Sequence, residues 1–360
     1  MEYNILGINP FHNGSICILS NGKVVEYIEE ERLTRRKYDE LPFKSILNFI
    51  NNYSIDDIAI AGINGCRNNS SYFNEEIFKS FFIKLNFHSS NIYYFDHLHH
   101  QTHISIAFYN SGFKESIGIA IDAGGSLQPD NENIEKDTIF YCSYPNNFKI
   151  LYQNFCYLPT PLSQASLGIS QSFEKLCETF NFMPLDGGKI MGLASYGNPN
   201  NNLPNLFKEN NTDIDFINNQ KSYNRFFPKN YSTNWHHDES KITHLEKDLS
   251  WKLQTESQTI LGNYVEKAIQ ETKLNNVVVA GGYGLNCVAN YYLKKRFPKV
   301  NFYFEPIAHD GGTAIGAAKL LWHKKTQDTT IQPQTSIYYG PKYSKKELLE
   351  GIKKYVDTPQ

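Results

Sequence analysis

His99 and His103 stand four residues apart in the stretch HLHHQTHISIAFYNSGFKESIGIAIDAGGS, which runs from His97 to Ser126. An apolar, helix-compatible run comes after them, so the spacing predicts two imidazoles projecting from one face of one helix. That is the arrangement of a metal-ligand pair. Taken alone, an HxxxH pair is more often two surface or core histidines than a site, and the neighbouring residues shift the balance. The strand-like SIGIAID ends in Asp122, and Ala123, Gly124 and Gly125 come next, small residues that let a backbone approach a phosphate closely. A second element of the same kind lies near the C-terminus, where the strand VNFYFEP precedes Asp310, Gly311 and Gly312 and an Ala/Gly-rich helix. Asp310 would complete a shell of two histidines and two aspartates around one cation.

These side chains need elements to hold them. From Tyr3 to Glu26 the pattern is strand, polar break, strand, turn, strand, with Asn21-Gly22 suited to a tight hairpin turn. The first break, His12-Asn13-Gly14-Ser15, is either an ordinary turn or a loop that offers backbone N–H groups to a phosphate or substrate. SIGIAIDAGGS and TIFYCSYPNNFKILYQNF repeat this theme of apolar strand, glycine loop, strand, Asn-containing turn and strand. The repetition predicts two lobes built from one unit, each presenting a glycine loop to a shared cleft, as in actin-like ATPases and sugar kinases. The fold class expected is therefore α/β, a duplicated actin-like ATPase or sugar-kinase fold.

Further glycine loops fit the cleft. Gly281 and Gly282 fall between a buried strand and a helix, where backbone amides and the helix dipole make an anion site. The spacing is not that of a dinucleotide fingerprint, since Cys287 stands where a glycine is required. Lys189 sits among Gly187, Gly188 and Gly192, a lysine in a glycine-rich loop able to meet phosphate oxygens, without P-loop spacing. Residues 200–243 lose periodicity and read as an insertion over the cleft mouth. Its Phe226, Phe227, Tyr231 and Trp235 could stack on a sugar, and its His236, His237 and Asp238 with His244 form a rival metal cluster, or a solvated polar loop. The charge run from Glu29 to Lys37 reads as a solvated face.

Composition narrows the class. A chain of 360 residues with 40% hydrophobic residues can bury a large core and predicts two lobes. The formal net charge of −2 gives no pull toward bulk nucleic acid, and the basic cluster Arg32, Arg35, Arg36, Lys37 is local. No run reaches the length of a membrane span and the start lacks a signal-peptide pattern, so a cytoplasmic location is expected. Six cysteines without a CxxC pair indicate neither a disulfide framework nor a zinc ribbon.

The ordered set GINPFHNGS, EERLTRRK, HHQTHISIAF, IDAGG, GKIMGLASYG, AGGYGLNCVAN and HDGGTAIGAA, from about Ile5 to Trp322, closely resembles the NodU/CmcH O-carbamoyltransferases. These share an actin-like fold with the enzymes that make threonylcarbamoyladenosine on tRNA. The resemblance implies transfer of a carbamoyl group from carbamoyl phosphate, through a carbamoyl-adenylate made with ATP, to a hydroxyl of a sugar, aminoglycoside or similar metabolite. It implies His99, His103, Asp122 and Asp310 as ligands of a divalent metal, Fe(II), and Gly124, Gly281 and Gly312 with Asn286 as the adenylate cradle. It also implies His12 as the base near the acceptor hydroxyl and Lys37 as the lysine that contacts the carbamoyl group. Where many members read His-Asp in the first loop, this chain has His12-Asn13, which removes a carboxylate there. The expected organisation is an actin-like domain over 1–340, with lobe one about 1–112 and lobe two about 113–340. Residues 341–360 would open a YrdC-like activating domain, supplied otherwise by a separate polypeptide; a homodimer is compatible. The competing readings are an actin-like sugar kinase or ATPase, and a non-catalytic adenylate-binding subunit that needs an activating partner. An HxxxH pair suits the Mg²⁺ of a kinase poorly.

Overall fold

The computed structural model describes residues 2–62, 75–95, 98–127, 133–157, 168–203, 205–207, 242–340 and 343–356. The proposed stacking residues Phe226, Phe227, Tyr231 and Trp235, and His236, His237 and Asp238 of the rival cluster, lie outside them. His244 is described, exposed at the start of a helix.

The first sheet is built from β1 (Asn4–Asn9), β2 (Ser15–Ser20), β3 (Lys23–Glu29), β4 (Asp57–Ile60) and β5 (Ile92–Tyr94), in the order β3-β2-β1-β4-β5. The second comprises β6 (Glu115–Ile121), β7 (Asn133–Ser143), β8 (Asn147–Tyr157), β9 (Asn276–Ala280) and β10 (Asn301–Phe304), in the order β10-β9-β6-β7-β8. In each sheet the first three strands are antiparallel neighbours and the last two run parallel to the first. The two sheets thus share one topology, as the repeated pattern in the sequence predicts. The β2–β3 turn carries Asn21 at φ 46° and Gly22 at φ 80°, the left-handed pair that Asn-Gly favours.

Both faces of each sheet are covered, which is why these strands read as nearly continuous apolar runs rather than strict alternations. Leu6, Ile8, Ile16 and Ile18 pack outward under α2 (Phe43–Phe49) and α3 (Glu75–Lys84), while Ile5, Cys17 and Leu19 face inward. Two helices fill the space between the sheets. Helix α4 (His99–Ser111) lies against β6 and β9 of the second sheet, and α9 (Thr313–Thr326) lies against β1 and β2 of the first; the two helices also pack on each other. The expected division near residue 112 separates the strands of the two sheets, whereas these helices cross it. These contacts are backbone to backbone: a Cβ on Gly316 of α9 would stand 2.0 Å from the carbonyl oxygen of Thr102 in α4, and one on Gly7 of β1 2.1 Å from that of Ala314 in α9. The Ala/Gly-rich composition of α9 follows from this closeness.

Outside the second sheet lie α5 (Ile169–Thr179), α6 (Gly187–Ala194), α7 (His244–Thr272) and α8 (Cys287–Arg296) around the largest apolar core. Here one expectation is corrected. Gly187 and Gly188 open helix α6 rather than a loop, so Lys189 belongs to a helical first turn and its ammonium reaches back three residues to Asp186 at 2.9 Å. The other described α-helices are α1 (Glu31–Thr34) and α10 (Lys345–Val356). No described helix is long and apolar enough to cross a membrane. Cys17, Cys142, Cys177 and Cys287 are free thiols.

Candidate metal centre

Helix α4 points His99 and His103 from one face, as the spacing requires, and the ends of β6 and of the segment after β10 bring Asp122 and Asp310 to meet them. One donor atom from each of the four lies within 4.8 Å of every other, and all four side chains are buried. His99 Nε2 is 3.1 Å from His103 Nε2, 3.1 Å from Asp122 Oδ2 and 3.6 Å from Asp310 Oδ1. His103 Nε2 is 3.2 Å from Asp310 Oδ1 and 3.6 Å from Asp122 Oδ2. Ligand atoms that sit about 2.1 Å from a shared ion stand roughly 3.0–3.5 Å apart, close to the 3.1–3.6 Å between each histidine Nε2 and the other donor atoms.

The hydrogen-bond pattern around these atoms agrees with a cation. His99 Nδ1 donates to the carbonyl of Gly62 at 3.2 Å, which leaves its Nε2 as a lone pair aimed at another ring nitrogen and two carboxylates. Four electron-rich atoms converge there, and they repel unless a proton or metal ion lies among them. Protons are the occupants when metal is absent. Burial opposes charge on His99, yet Asp310 and Asp122 overcome it and hold the ring well above the usual histidine range; His103 is raised in the same way. Asp122 and Asp310 are held below the carboxylate range: burial raises both, and Asp122 repels Asp310, but the neighbouring histidines win. A donor set of two imidazoles and two carboxylates suits a first-row divalent ion better than Mg²⁺ or Ca²⁺.

A pH dependence follows. The metal-free rings keep their protons to a higher pH than ordinary histidines, and a ligand nitrogen must be unprotonated, so affinity falls as pH drops through the raised values. Titration of metal-free protein with Zn²⁺ in weakly buffered solution is expected to release about one to two protons per ion near neutral pH and fewer at higher pH.

The cluster opens into a cavity of about 340 Å³ between the two sheets. One wall carries His12, Asn13, Tyr38 and His309, and the other is more apolar, with Phe173, Pro184, Leu185, Met191 and Leu285. His12 Nε2 stands 3.4 Å from Asp310 Oδ2, so one carboxylate faces the cluster with one oxygen and His12 with the other. Gly124, Gly282 and Asn286 also line the cavity. The remaining expected contacts fall elsewhere. The N–H of Gly282 donates to Asp122 Oδ1 at 2.9 Å, so it steadies that carboxylate rather than waiting for a phosphate. Gly125, Gly311 and Gly312 give their N–H groups to Glu135 O, His309 Nδ1 and His309 O, and Gly281, at φ 85°, is packed against the carbonyl of Ile121. None of these four lines the cavity. Asn286 caps α8 and pairs both polar ends of its amide with Gln254. Lys37 and Lys189 both turn to Asp186 at the mouth, at 3.9 and 2.9 Å, and neither lines the cavity. The charge run is only partly solvated: Arg32, Arg35, Arg36 and Lys37 are exposed, but the buried Glu30 carboxylate accepts from Lys44 N, Ser45 N and Ser45 Oγ at the start of α2.

Sequence reasoning missed Glu174 and His309. Glu174 lines the cavity, and burial, then the charges of Asp122, Glu178 and Asp310, push its carboxyl up to about 8. It is one polar residue in an amphipathic helix, with nothing in its spacing to mark it. His309 accepts from Gly311 N at 3.1 Å and lies 3.6 Å from Glu29 Oε1; burial keeps it below the usual histidine range.

Comparison with known proteins gives this geometry a context. The family described as "Carbamoyltransferase N-terminus" matches residues 67–319. An uncharacterized protein of Synechocystis is 24% identical, with 97% of this chain and 62% of its own length covered. Nodulation protein NolNO of Sinorhizobium fredii is 24% identical over 94% of this chain and 50% of its own length, and nodulation protein NolO of Bradyrhizobium diazoefficiens is 25% identical over 70% and 43%. The chain thus spans about half the length of the curated relatives it matches. Among solved structures, HypF of T. kodakarensis superposes with a TM-score of 0.59 at 13% identity, covering 89% of this chain and 48% of that one. Full-length HypF in a phosphate- and nucleotide-bound form gives 0.54 at 15% identity, covering 89% and 55%. The architecture is a duplicated actin-like fold.

Proposed function

Since the chain belongs to the carbamoyltransferase N-terminal family, we propose that it transfers a carbamoyl group to a hydroxyl of a small-molecule acceptor, a sugar or a related metabolite. The donor in this reading is carbamoyl-adenylate, made from carbamoyl phosphate and ATP, and the ion held by His99, His103, Asp122 and Asp310 is Fe(II). The observation that carries the reading is the four-residue cluster, two of whose members, Asp122 and Asp310, line the cavity; each histidine Nε2 stands 3.1–3.6 Å from the other donor atoms, and all four atoms lie within 4.8 Å of one another. When bound, such an ion supplies Lewis-acid polarisation of a carbonyl or phosphate oxygen.

The chain's own residues supply the rest. The apolar wall of Phe173, Pro184, Leu185, Met191 and Leu285 fits the base of an adenylate, and Glu174, protonated at neutral pH, can donate as well as accept a hydrogen bond to a hydroxyl. The acceptor approaches from the wall of His12, Asn13, Tyr38 and His309. Its oxygen bonds to the carbamoyl carbon, the bond from that carbon to the adenylate phosphate oxygen breaks, and AMP leaves. His12 takes the hydroxyl proton, with Asp310 Oδ2 orienting the ring. Lys37 reaches the carbamoyl group only by leaving Asp186, and Lys189, likewise drawn to Asp186, belongs to the mouth.

The test supplies iron-loaded protein with carbamoyl-adenylate and a panel of sugars and aminosugars, and follows AMP and carbamoylated product by mass spectrometry. Matched formation of both is expected. In a parallel reaction with ATP in place of carbamoyl-adenylate, ADP with a phosphorylated sugar would replace this reading with the kinase one; tight adenylate binding without turnover on any acceptor would replace it with a binding subunit.

A further inference from the structure

Helix α4 carries two of the four ligands, yet it has no cap of its own. Leu98, which precedes it, offers no side-chain hydrogen bond, and the first N–H groups of a buried helix are costly to leave unmade. The partner comes from another part of the chain: Ser126 Oγ accepts from the backbone N–H of His99 at 3.0 Å. Ser126 is itself held, since its N–H donates to Glu135 Oε2 at 2.9 Å, and Gln153 Nε2 donates to Glu135 Oε1 at 2.7 Å. Ser126 and Glu135 are both buried, at 1% and 4% exposure, so solvent does not stand in for either contact.

The same short segment begins at Asp122. Its backbone is fastened to β7 by Asp122 N to Lys136 O, Gly125 N to Glu135 O and Glu135 N to Ser126 O. Position 125 has no room for a side chain: a Cβ there would lie 2.5 Å from Glu135 Oε2 and 2.7 Å from His100 Nε2. One ligand therefore sits at the start of a stiff five-residue bracket whose far end grips the helix bearing two others.

We infer that Ser126 and Glu135 are positioning residues of the metal centre, fixing the separation of Asp122 from the His99 and His103 face by capping α4 from the loop that carries Asp122. The inference rests on the reading of these residues as metal ligands. A few tenths of an ångström matter here, because outer contacts of this kind commonly change metal affinity by about 10- to 100-fold.

The experiment uses Co²⁺ alone as probe, with affinity and the visible d–d spectrum as readouts, on the whole chain. Ser126→Val and Ser126→Thr have the same shape and differ in the hydroxyl. Ser126→Val is expected to bind Co²⁺ at least about 10-fold more weakly with an altered band, and Ser126→Thr to remain near wild type. Thr243→Ala is the control, since Thr243 caps α7 away from the centre; it should lower thermal stability without moving either readout. Glu135→Met, which keeps the side-chain length but removes both acceptor oxygens, should weaken Co²⁺ as Ser126→Val does, and it decides the matter if Ser126→Val does not fold. Wild-type affinity and spectrum in folded Ser126→Val or in Glu135→Met would overturn the positioning role while leaving the metal centre in place. Failure of wild-type protein to bind Co²⁺ would instead remove the centre, and the inference with it.

Discussion

Replacement of His103 by alanine is expected to take bound iron from about one ion per chain to near zero and to abolish carbamoyl transfer, with the fold retained. His103 is fully buried and its Nε2 touches three of the other donor atoms, so its loss removes the nitrogen that closes the shell rather than a peripheral contact. The fold should survive because α4 is anchored by Ile104, Ile106, Ala107 and Phe108, all buried and untouched by the change. The deleted ring leaves a cavity and four like-polarity atoms become three, which relieves the repulsion among them as well as costing packing. Metal analysis, circular dichroism and AMP release measured on the same preparation check the three parts together. A folded His103→Ala variant with wild-type iron and wild-type transfer would remove the basis of the proposed site.

The second large effect separates proton transfer from metal holding. His12→Ala is expected to keep its iron and its adenylate affinity while the rate of transfer falls about 10²- to 10⁴-fold, the range for losing a general base. The reason is geometric: His12 faces Asp310 Oδ2, whereas the shared cation position is defined by Oδ1. Single-turnover transfer from preloaded adenylate, with metal content measured in parallel, gives the answer. Loss of iron in this variant would make His12 a fifth ligand, and an unchanged rate would assign the base elsewhere.

Much of this is legible in the order of residues alone, and the reasons are physical. The histidine pair shows because helical periodicity turns a spacing of four into a shared face. The acids show because each follows an apolar strand, Asp122 directly and Asp310 after a short connection, and precedes glycines, and the duplication shows because each unit repeats strand, glycine loop and hairpin. The features that escape are set by tertiary packing. Nothing local tells that Gly282 spends its amide on Asp122 or that Gly125 is small to admit His100 and Glu135. A glycine needed for close packing looks in sequence like a glycine that cradles an anion. Lys189 is misplaced for a related reason: two glycines suggest a loop, but the apolar Ile190 and Ala194, both buried on the inner face of the segment, draw it into helix α6. Glu174 gives no signal because a carboxyl is displaced toward neutrality by its surroundings, and these are assembled only when distant segments meet.

The crossing of α4 and α9 has a bearing on how such a protein could be divided. Each helix belongs by chain order to one half and by packing to the other, so severing the connection near residue 112 would leave two fragments that each present an uncovered sheet face and a helix lacking its support. The halves would then regain structure only by complementation, folding around one another.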